Sequence, residues 1–264
     1  MDSKRYNVVM IIKNPKDELM LREATKISVN ILKQLGESIE EGVTPLEIDD
    51  LAGELCSMYG VKPSFKTVDD YNFNTCISVN DVAVHGIPKN IPLKKGDLVS
   101  IDFGIIYKGY FTDHCWTWSV GLPSKENAKL LEAGRASVEN AVSKAIVGNY
   151  TGDLGYEMEK CAKDNGFNVL KLYCGHGIGK SLHEEPDIPA FGRPKTGELL
   201  VDSMVICVEC QVVDDNGRTI TDKEDGWSVH TENGGNSVMF EYMVIVRKDH
   251  PEILTNTRGW EVLV

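Results

Sequence analysis

The stretch that decides the fold is LVSIDFGIIYKGYFTDHCWTWSV, residues 98–120. Its apolar, aromatic and β-branched residues predict two strands, over 98–107 and 110–120. Lys108 and Gly109 lie between them and are typical of the two-residue turn of an antiparallel hairpin.

The register of this hairpin determines which side chains share a face. A two-residue turn puts Gly104 opposite Asp113 and Asp102 opposite Cys115. Because side chains alternate along a strand, Asp102 and Asp113 become diagonal neighbours, about 7–8 Å apart. His114 then points to the other face, so we expect it to be structural. A bulge at the turn would shift this register.

Two other apolar segments, 204–213 and 238–246, each carry an acid at their centre, Glu209 and Glu241. Burying an ionised carboxylate without a partner is very costly, and few basic residues lie in these strands. A shared divalent cation would compensate several such charges at once. The acids of the four strands therefore predict a metal centre.

Three histidines lie in segments that suit such a centre. His176 is presented by the glycine-rich turn 175–179, His183 follows seven residues later, and His85 comes directly after a predicted strand. An oxygen-rich set with one imidazole suits Mn²⁺, Fe²⁺, Co²⁺ or Zn²⁺. Several carboxylates with few histidines favour two ions about 3.5–4 Å apart that activate a water for hydrolysis. We treat His230 and His250 as background.

The remaining chain predicts helices and strands in similar order in both halves. Helical spacing with capping signals occurs at 14–36, 44–60 and 153–165, a further helix opens near Ser124, and 76–84 is predicted as a strand. This favours an α/β fold with an antiparallel or mixed curved sheet and helices on one face. Because no linker or low-complexity segment interrupts it, we expect one domain over 1–264.

Composition narrows the class of partner and the compartment. A net charge of −12 disfavours nucleic acid and anionic membranes as partners. Seven scattered cysteines do not form a disulfide framework, which favours a reducing, cytoplasmic location. The CxxC formed by Cys207 and Cys210 lies inside an apolar run, so we read it as strand packing rather than zinc or redox chemistry. Residues 1–10 lack the features of a secretory leader.

Taken together, these residues resemble the methionine aminopeptidases over nearly the whole chain. The resemblance is carried by the segment 85–88, HGIP, and by five spaced metal ligands, Asp102, Asp113, His176, Glu209 and Glu241. It implies the pita-bread fold, an α/β (α+β) architecture with a curved, mostly antiparallel sheet, helices on the outer face and two pseudo-symmetric halves. The absence of a type II helical insertion indicates the type I form.

The resemblance also implies a role for each site residue. One ion would be held by Asp113, His176, Glu209 and Glu241, and the second by Asp102, Asp113 and Glu241. Among the catalytic residues, Glu209 would shuttle the proton, His183 would polarise the carbonyl, and His85 would bind the scissile amide. The ions would be two divalent metals of the Mn, Co, Fe or Zn kind.

The substrate pocket is where the sequence departs from the family. The implied walls are Phe65, Tyr71, Cys76, His85, Leu182 and Trp227. Thr67-Val68 replaces a usual Gly-Tyr pair, Asn72 replaces a proline, and Leu182 replaces an aromatic residue. Near the ligands, Cys210 stands for proline, Tyr242 for histidine and Met239 for glutamine. We expect side-chain selectivity to be affected before hydrolysis is.

Three functions remain open from the sequence. The first is removal of initiator methionine from the N-termini of peptides and nascent proteins. This function implies a monomeric, cytoplasmic enzyme that associates with the ribosome and binds neither nucleic acid nor a membrane. The second keeps the metals but changes the specificity, including an Xaa-Pro peptidase. The third is a non-catalytic pita-bread binding protein. The presence of all five metal ligands argues against it.

Overall fold

The computed structural model describes residues 9–263, so the expectation for the leader region falls largely outside the described residues. Within them lie four α-helices, α1 Pro15–Glu37, α2 Pro45–Tyr59, α3 Lys125–Ser143 and α4 Thr151–Asp164. A 3₁₀ helix spans Phe65–Thr67. The strands of the first half are β1 Lys62–Pro63, β2 Cys76–Val79, β3 Val82–Val84, β4 Leu98–Phe103, β5 Ile105–Tyr107, β6 Tyr110–Phe111 and β7 His114–Ser119. Those of the second half are β8 Asn168–Val169, β9 Cys174–Gly177, β10 Glu184–Pro189, β11 Val205–Val213, β12 Thr219–Thr221, β13 Val229–Thr231, β14 Ser237–Ile245 and β15 Glu252–Ile253.

The first two helices begin where the sequence signals predict. The Asn14 side chain accepts a hydrogen bond from Asp17 N at 3.0 Å and satisfies one free amide at the start of α1. At α2, Thr44 and Glu47 form the reciprocal capping box. Gly60 ends α2 in the left-handed region, with φ 65°.

The hairpin has the predicted register. Tyr107 pairs with Tyr110, and Asp102 pairs with Cys115. Lys108 and the residue after it both have positive φ, 49° and 80°, as a type I′ turn requires. The prediction of two unbroken strands is wrong, because the ladder divides into β4–β7 and β5–β6.

The division lies at Gly104, where the two chain segments approach too closely for a side chain. A Cβ at Gly104 would lie 2.0 Å from Thr112 O. Thr112 Oγ1 accepts a hydrogen bond from Ile105 N at 2.9 Å and replaces a ladder bond. The predicted strand 76–84 is likewise divided, by a turn at Asn80 with φ 54°.

Two antiparallel sheets carry the structure. The first has the order β2-β4-β7 and the second the order β10-β9-β11-β14-β15, with β8 also on β11. Helix α1 packs on β4 to β6, whereas α3 packs on β11 and β14. The small sheets β1-β5-β6 and β12-β13-β3 lie beside them.

Alternation along the central strands separates two faces. On the helix side, β11 and β14 contribute Ile206, Val208, Cys210, Val212, Val238, Phe240, Tyr242 and Val244 to the main hydrophobic core. The residues between them, Glu209 and Glu241 included, therefore face away from the helices. On β4 the same alternation puts Ile101 and Phe103 in the core and Asp102 on the opposite face.

The two sheets meet at β7 and β14 through a side chain. Thr117 Oγ1 donates to Met239 O at 2.6 Å and accepts from Met239 N at 3.0 Å. Ser100 Oγ lies 2.8 Å from Thr117 Oγ1. Thr117 is fully buried, so these bonds form without competition from water.

We expect Thr117→Val to destabilise the protein by about 2–4 kcal/mol, because two buried backbone groups of Met239 lose their partner. Urea unfolding of the two proteins measures the difference. Ser100→Ala is the matched control, since it removes one bond and leaves those to Met239 in place. Equal stability of Thr117→Val and the native protein would contradict this account of the junction.

Candidate metal centre and apolar pocket

Four acids converge on the face turned away from the helices. Glu209 and Glu241 are direct partners in the β11–β14 ladder, where like charges repel. Asp102 lies on β4, and Asp113 precedes β7. The ligand oxygens of Asp102, Asp113 and Glu241 all lie within 4.8 Å of one another.

His176 on β9 joins this cluster from the strand next to β11 in the second sheet. Its Nε2 lies 3.7 Å from Asp113 Oδ2. Its Nδ1 is 2.9 Å from Gly177 O, an oxygen that can only accept, so the Nδ1 proton occupies this bond. With that tautomer, the Nε2 lone pair faces the acids as a metal ligand would.

Burial perturbs the acids strongly. Desolvation raises the pKa of Asp102 to about 7 and that of Glu209 to about 8. Desolvation and the neighbouring carboxylates raise the pKa of Asp113 and of Glu241 well above the usual range. Four such acids on one face are typical of a functional site.

The side chains present fit a divalent cation. Asp102 Oδ1, Asp113 Oδ1 and Glu241 Oε1 are buried and have no hydrogen-bond partner. An unpaired buried carboxylate oxygen is costly, and three of them on adjacent strands need a common positive charge. Oxygen donors with one imidazole are the set that first-row divalent ions accept.

Glu209 is held differently from the other acids. The three-residue ligand sets found among residues 9–263 do not include it. Instead, its Oε2 accepts a hydrogen bond from Gln211 Nε2 at 2.5 Å. Gln211 is fully buried, and its own Oε1 has no partner. The sequence analysis missed Gln211, although its place two residues after Glu209 puts it on the same face.

The other two predicted histidines flank the cluster. The His183 ring lies 4.5 Å from that of His176, and both belong to a ligand set with Asp113. His85 packs edge-on against Tyr173 at 5.4 Å and has φ 56°. Burial, with His183 nearby, lowers the pKa of His85 to about 4.

His114, which we expected to be structural, and His230, which we treated as background, lie outside this cluster. His114 is buried, and its Nε2 is 2.9 Å from Ser28 Oγ on α1. This confirms the prediction that it faces away from Asp113. His230 Nδ1 lies 2.9 Å from Asp81 Oδ2 in the small sheet.

An apolar cluster adjoins the acids. It contains five of the six predicted pocket residues, Phe65, Tyr71, Cys76, Leu182 and Trp227. Tyr71 and Trp227 pack edge to face at 4.9 Å, and Cys76 pairs with Asp102 in the β2–β4 ladder. The sixth, His85, packs edge-on against Tyr173.

The departures from the family pattern fall in different places. Thr67 and Asn72 are exposed, whereas Val68 packs against the apolar cluster. Cys210 and Tyr242 belong to the helix-side core and so point away from the acids. Neighbours in a strand face opposite sides, so Cys210 and Tyr242 lie behind the strands that carry Glu209 and Glu241.

Met239 is the departure that does face the site. It packs with Val84, Cys115 and Val229. Its partner across the β11–β14 ladder is Gln211. The thioether of Met239 on β14 therefore lies beside the amide of Gln211 on β11, on the face that carries the acids.

Known proteins resemble this chain over most of its length. The model of metallopeptidase family M24 matches residues 20–248. A methionine aminopeptidase of Clostridium perfringens is 38% identical over 247 residues, covering 94% of this chain and 99% of that protein. This chain belongs to the methionine aminopeptidase family. The predicted class, a metallopeptidase and hence a hydrolase, is confirmed.

Solved structures confirm the fold of this family member. The crystal structure of methionine aminopeptidase from Rickettsia prowazekii matches with a TM-score of 0.91 and 31% identity, over 94% of this chain and 100% of that one. A prolidase from Pyrococcus furiosus matches at 0.77 with 24% identity, covering 94% of this chain and 66% of that one, and shares the fold alone. The pita-bread architecture is thus as predicted.

None of the helices within residues 9–263 has the length and apolarity needed to span a membrane.

In the presence of a metal chelator, we expect the free energy of unfolding of Asp102→Asn to exceed that of the native protein by an amount that grows as the pH rises. The folded pKa of Asp102, about 7, exceeds its unfolded value near 4, so ionisation opposes folding above pH 4 and does so fully above pH 7. Urea unfolding from pH 4 to 8 should show the gain growing to at least about 1 kcal/mol. A variant less stable than the native protein at pH 8 would contradict the repulsion.

We expect Gln211→Met to weaken Mn²⁺ binding by about tenfold, because Glu209 loses the amide that orients it. Titration calorimetry measures the affinity. Gln34→Met, on α1 and away from the acids, is the control and should bind like the native protein. Unchanged affinity in Gln211→Met would show that the amide does not position Glu209.

Proposed function

We propose that this protein removes initiator methionine from peptides and nascent proteins by metal-dependent hydrolysis. The observation that carries the proposal is the contact between the acid cluster and the apolar cluster. Cys76 and Asp102 are ladder partners, so a side chain seated among Phe65 and Tyr71 lies next to the acids. Such a site can hold a peptide's first side chain beside its scissile bond.

The acids and one histidine would hold two divalent ions. Asp113, His176, Glu209 and Glu241 form one proposed ligand set, and Asp102, Asp113 and Glu241 form the other. The second set is supported by the 4.8 Å grouping of its oxygens. When bound, the ions, of the Mn, Co, Fe or Zn kind, would supply an activated water and positive charge for the carbonyl oxygen.

The chain's own residues would then move the protons. Glu209 accepts the proton of the attacking water and passes it to the leaving amine, while Gln211 holds its Oε2. His183 donates to the carbonyl oxygen as charge develops there. His85, neutral at pH 7 because its pKa is about 4, hydrogen-bonds the scissile amide.

The metal centre would recognise the N-terminal end of a chain. The substrate's free α-amino group would lie on the Asp102 side, next to the second ligand set, and would so limit cleavage to the first residue. We also propose that residues 1–264 act as one domain and as a monomer in the cytoplasm. Association with the ribosome would bring the enzyme to its nascent substrates.

A second candidate is an aminopeptidase of altered specificity. Val68 packs against the apolar cluster, and Leu182 is buried within it, both at positions where the family pattern differs. One methylene in such a pocket changes selectivity by about 1–3 kcal/mol. An Xaa-Pro peptidase belongs to the same alternative, since that fold is shared.

The test supplies Met-Ala-Ser, Leu-Ala-Ser and Ala-Pro-Ser in turn with Mn²⁺ or Co²⁺. We expect release of methionine alone, and a loss of on the order of 10²-fold or more in kcat for Glu209→Ala, since the proton shuttle is gone. Glu40→Ala, an exposed acid, is the control. Release of leucine or alanine instead would favour altered specificity, and no release would favour a binding protein.

A further inference from the structure

Three buried thiols face the acid cluster from three different strands. Cys76 on β2 and Cys115 on β7 both pair with Asp102 on β4 in the first sheet. Cys207 on β11 lies in the second sheet, two residues before Glu209. All three are free cysteines. Neither the proposed ligand sets nor the proposed mechanism uses any of them.

Cys207 differs from the other two thiols in its position. Its sulfur, an imidazole nitrogen of His176 and a carboxylate oxygen of Glu241 lie within 4.8 Å of one another, and all three residues are buried. No ligand set within residues 9–263 contains Cys76 or Cys115. The three side chains thus form a nitrogen, sulfur and oxygen donor set.

The sheet itself holds these donors together. Cys207 is the direct partner of His176 in the β9–β11 ladder, and it pairs with Met243 on β14. Glu241, two residues before Met243, is therefore its diagonal neighbour on the same face. Donors on regular strands keep their spacing better than donors on loops.

Two further observations show that the set is prepared for a cation. Glu241 is 2% exposed, and its Oε1 has no hydrogen-bond partner. The Nδ1 proton of His176 is occupied by Gly177 O, which directs Nε2 to the cluster. The Cys207 thiol already lies against two members of the centre: its Sγ is 3.8 Å from Asp113 O, and it is hydrogen-bonded to the Glu241 carboxylate.

We propose that His176, Cys207 and Glu241 form a sulfur-containing site for one zinc-group cation, Zn²⁺ or Cd²⁺. One nitrogen, one sulfur and one oxygen with a fourth position for water is the tetrahedral arrangement that such ions accept. A thiolate prefers these softer ions, whereas the oxygen set of Asp102, Asp113 and Glu241 suits harder ones. On binding, the ion replaces the thiol proton, which passes to solvent.

The sulfur set and the oxygen set share one side chain. Because Glu241 belongs to both sets, an ion bound at the sulfur set competes with one bound at the oxygen set. Zinc-group ions would then bind with one preferred geometry and Mn²⁺ with another. The sulfur site does not depend on peptide hydrolysis, so it can be tested without substrate.

The experiment titrates Cd²⁺ into the full-length, chelator-treated protein and records near-ultraviolet absorption. We expect a sulfur-to-cadmium charge-transfer band in the native protein and in Cys115→Ser. We expect the band to be absent in Cys207→Ser and in Cys207→Thr. Calorimetry should show Cd²⁺ affinity reduced by about tenfold or more in these two variants, with a smaller change for Mn²⁺.

Cadmium-113 NMR of the native protein tests the same site without any substitution, since a sulfur ligand moves the cadmium resonance away from the range of oxygen and nitrogen ligands. A resonance in the sulfur range supports the proposal. Absence of a charge-transfer band from the native protein, or its persistence in Cys207→Ser, would overturn it. Equal loss of the band in Cys115→Ser and Cys207→Ser would overturn it as well. If the sulfur site fails, the Mn²⁺-dependent peptide assay still decides the proposed function separately.

Discussion

The repulsion between Glu209 and Glu241 is the constraint on which the rest of the structure depends. They are direct ladder partners in the middle of the second sheet, and Asp113 and Asp102 approach them from the first. Like charges in a poorly hydrated interior oppose folding unless a cation offsets them. The helix-side core and the Thr117 junction hold the acids in place despite this cost.

The site has two parts: metal ligands mostly on strands and pocket walls mostly on loops. The acids Asp102, Glu209 and Glu241 lie on strands whose ladders fix their spacing, as a metal centre requires. His183 precedes β10, and the wall residue Tyr71 lies in a loop. Loops vary with less cost to the fold, so selectivity can change while the metal ligands stay fixed.

Local patterns were enough to predict the hairpin, because the Lys108-Gly109 turn sets its register and thereby places Asp102 opposite Cys115. They were also enough to identify Glu209 and Glu241 as acids at the centre of otherwise apolar strands. What they missed depends on pairing between distant strands. That Cys207 pairs with His176 follows from the β9–β11 ladder, for which no turn supplies the register. Short strands such as β8 and β12 carry too few residues to show a period.

The most direct test of the central account is calorimetric titration of Mn²⁺ into the chelator-treated protein near pH 6.5, in buffers that differ in ionisation enthalpy. The buried acids keep protons because their pKa values are raised, to about 7 for Asp102 and about 8 for Glu209. Binding of the cation should therefore release protons, and the apparent enthalpy should vary with the buffer. Binding without proton release, or no binding, would contradict a cluster of acids that a cation compensates.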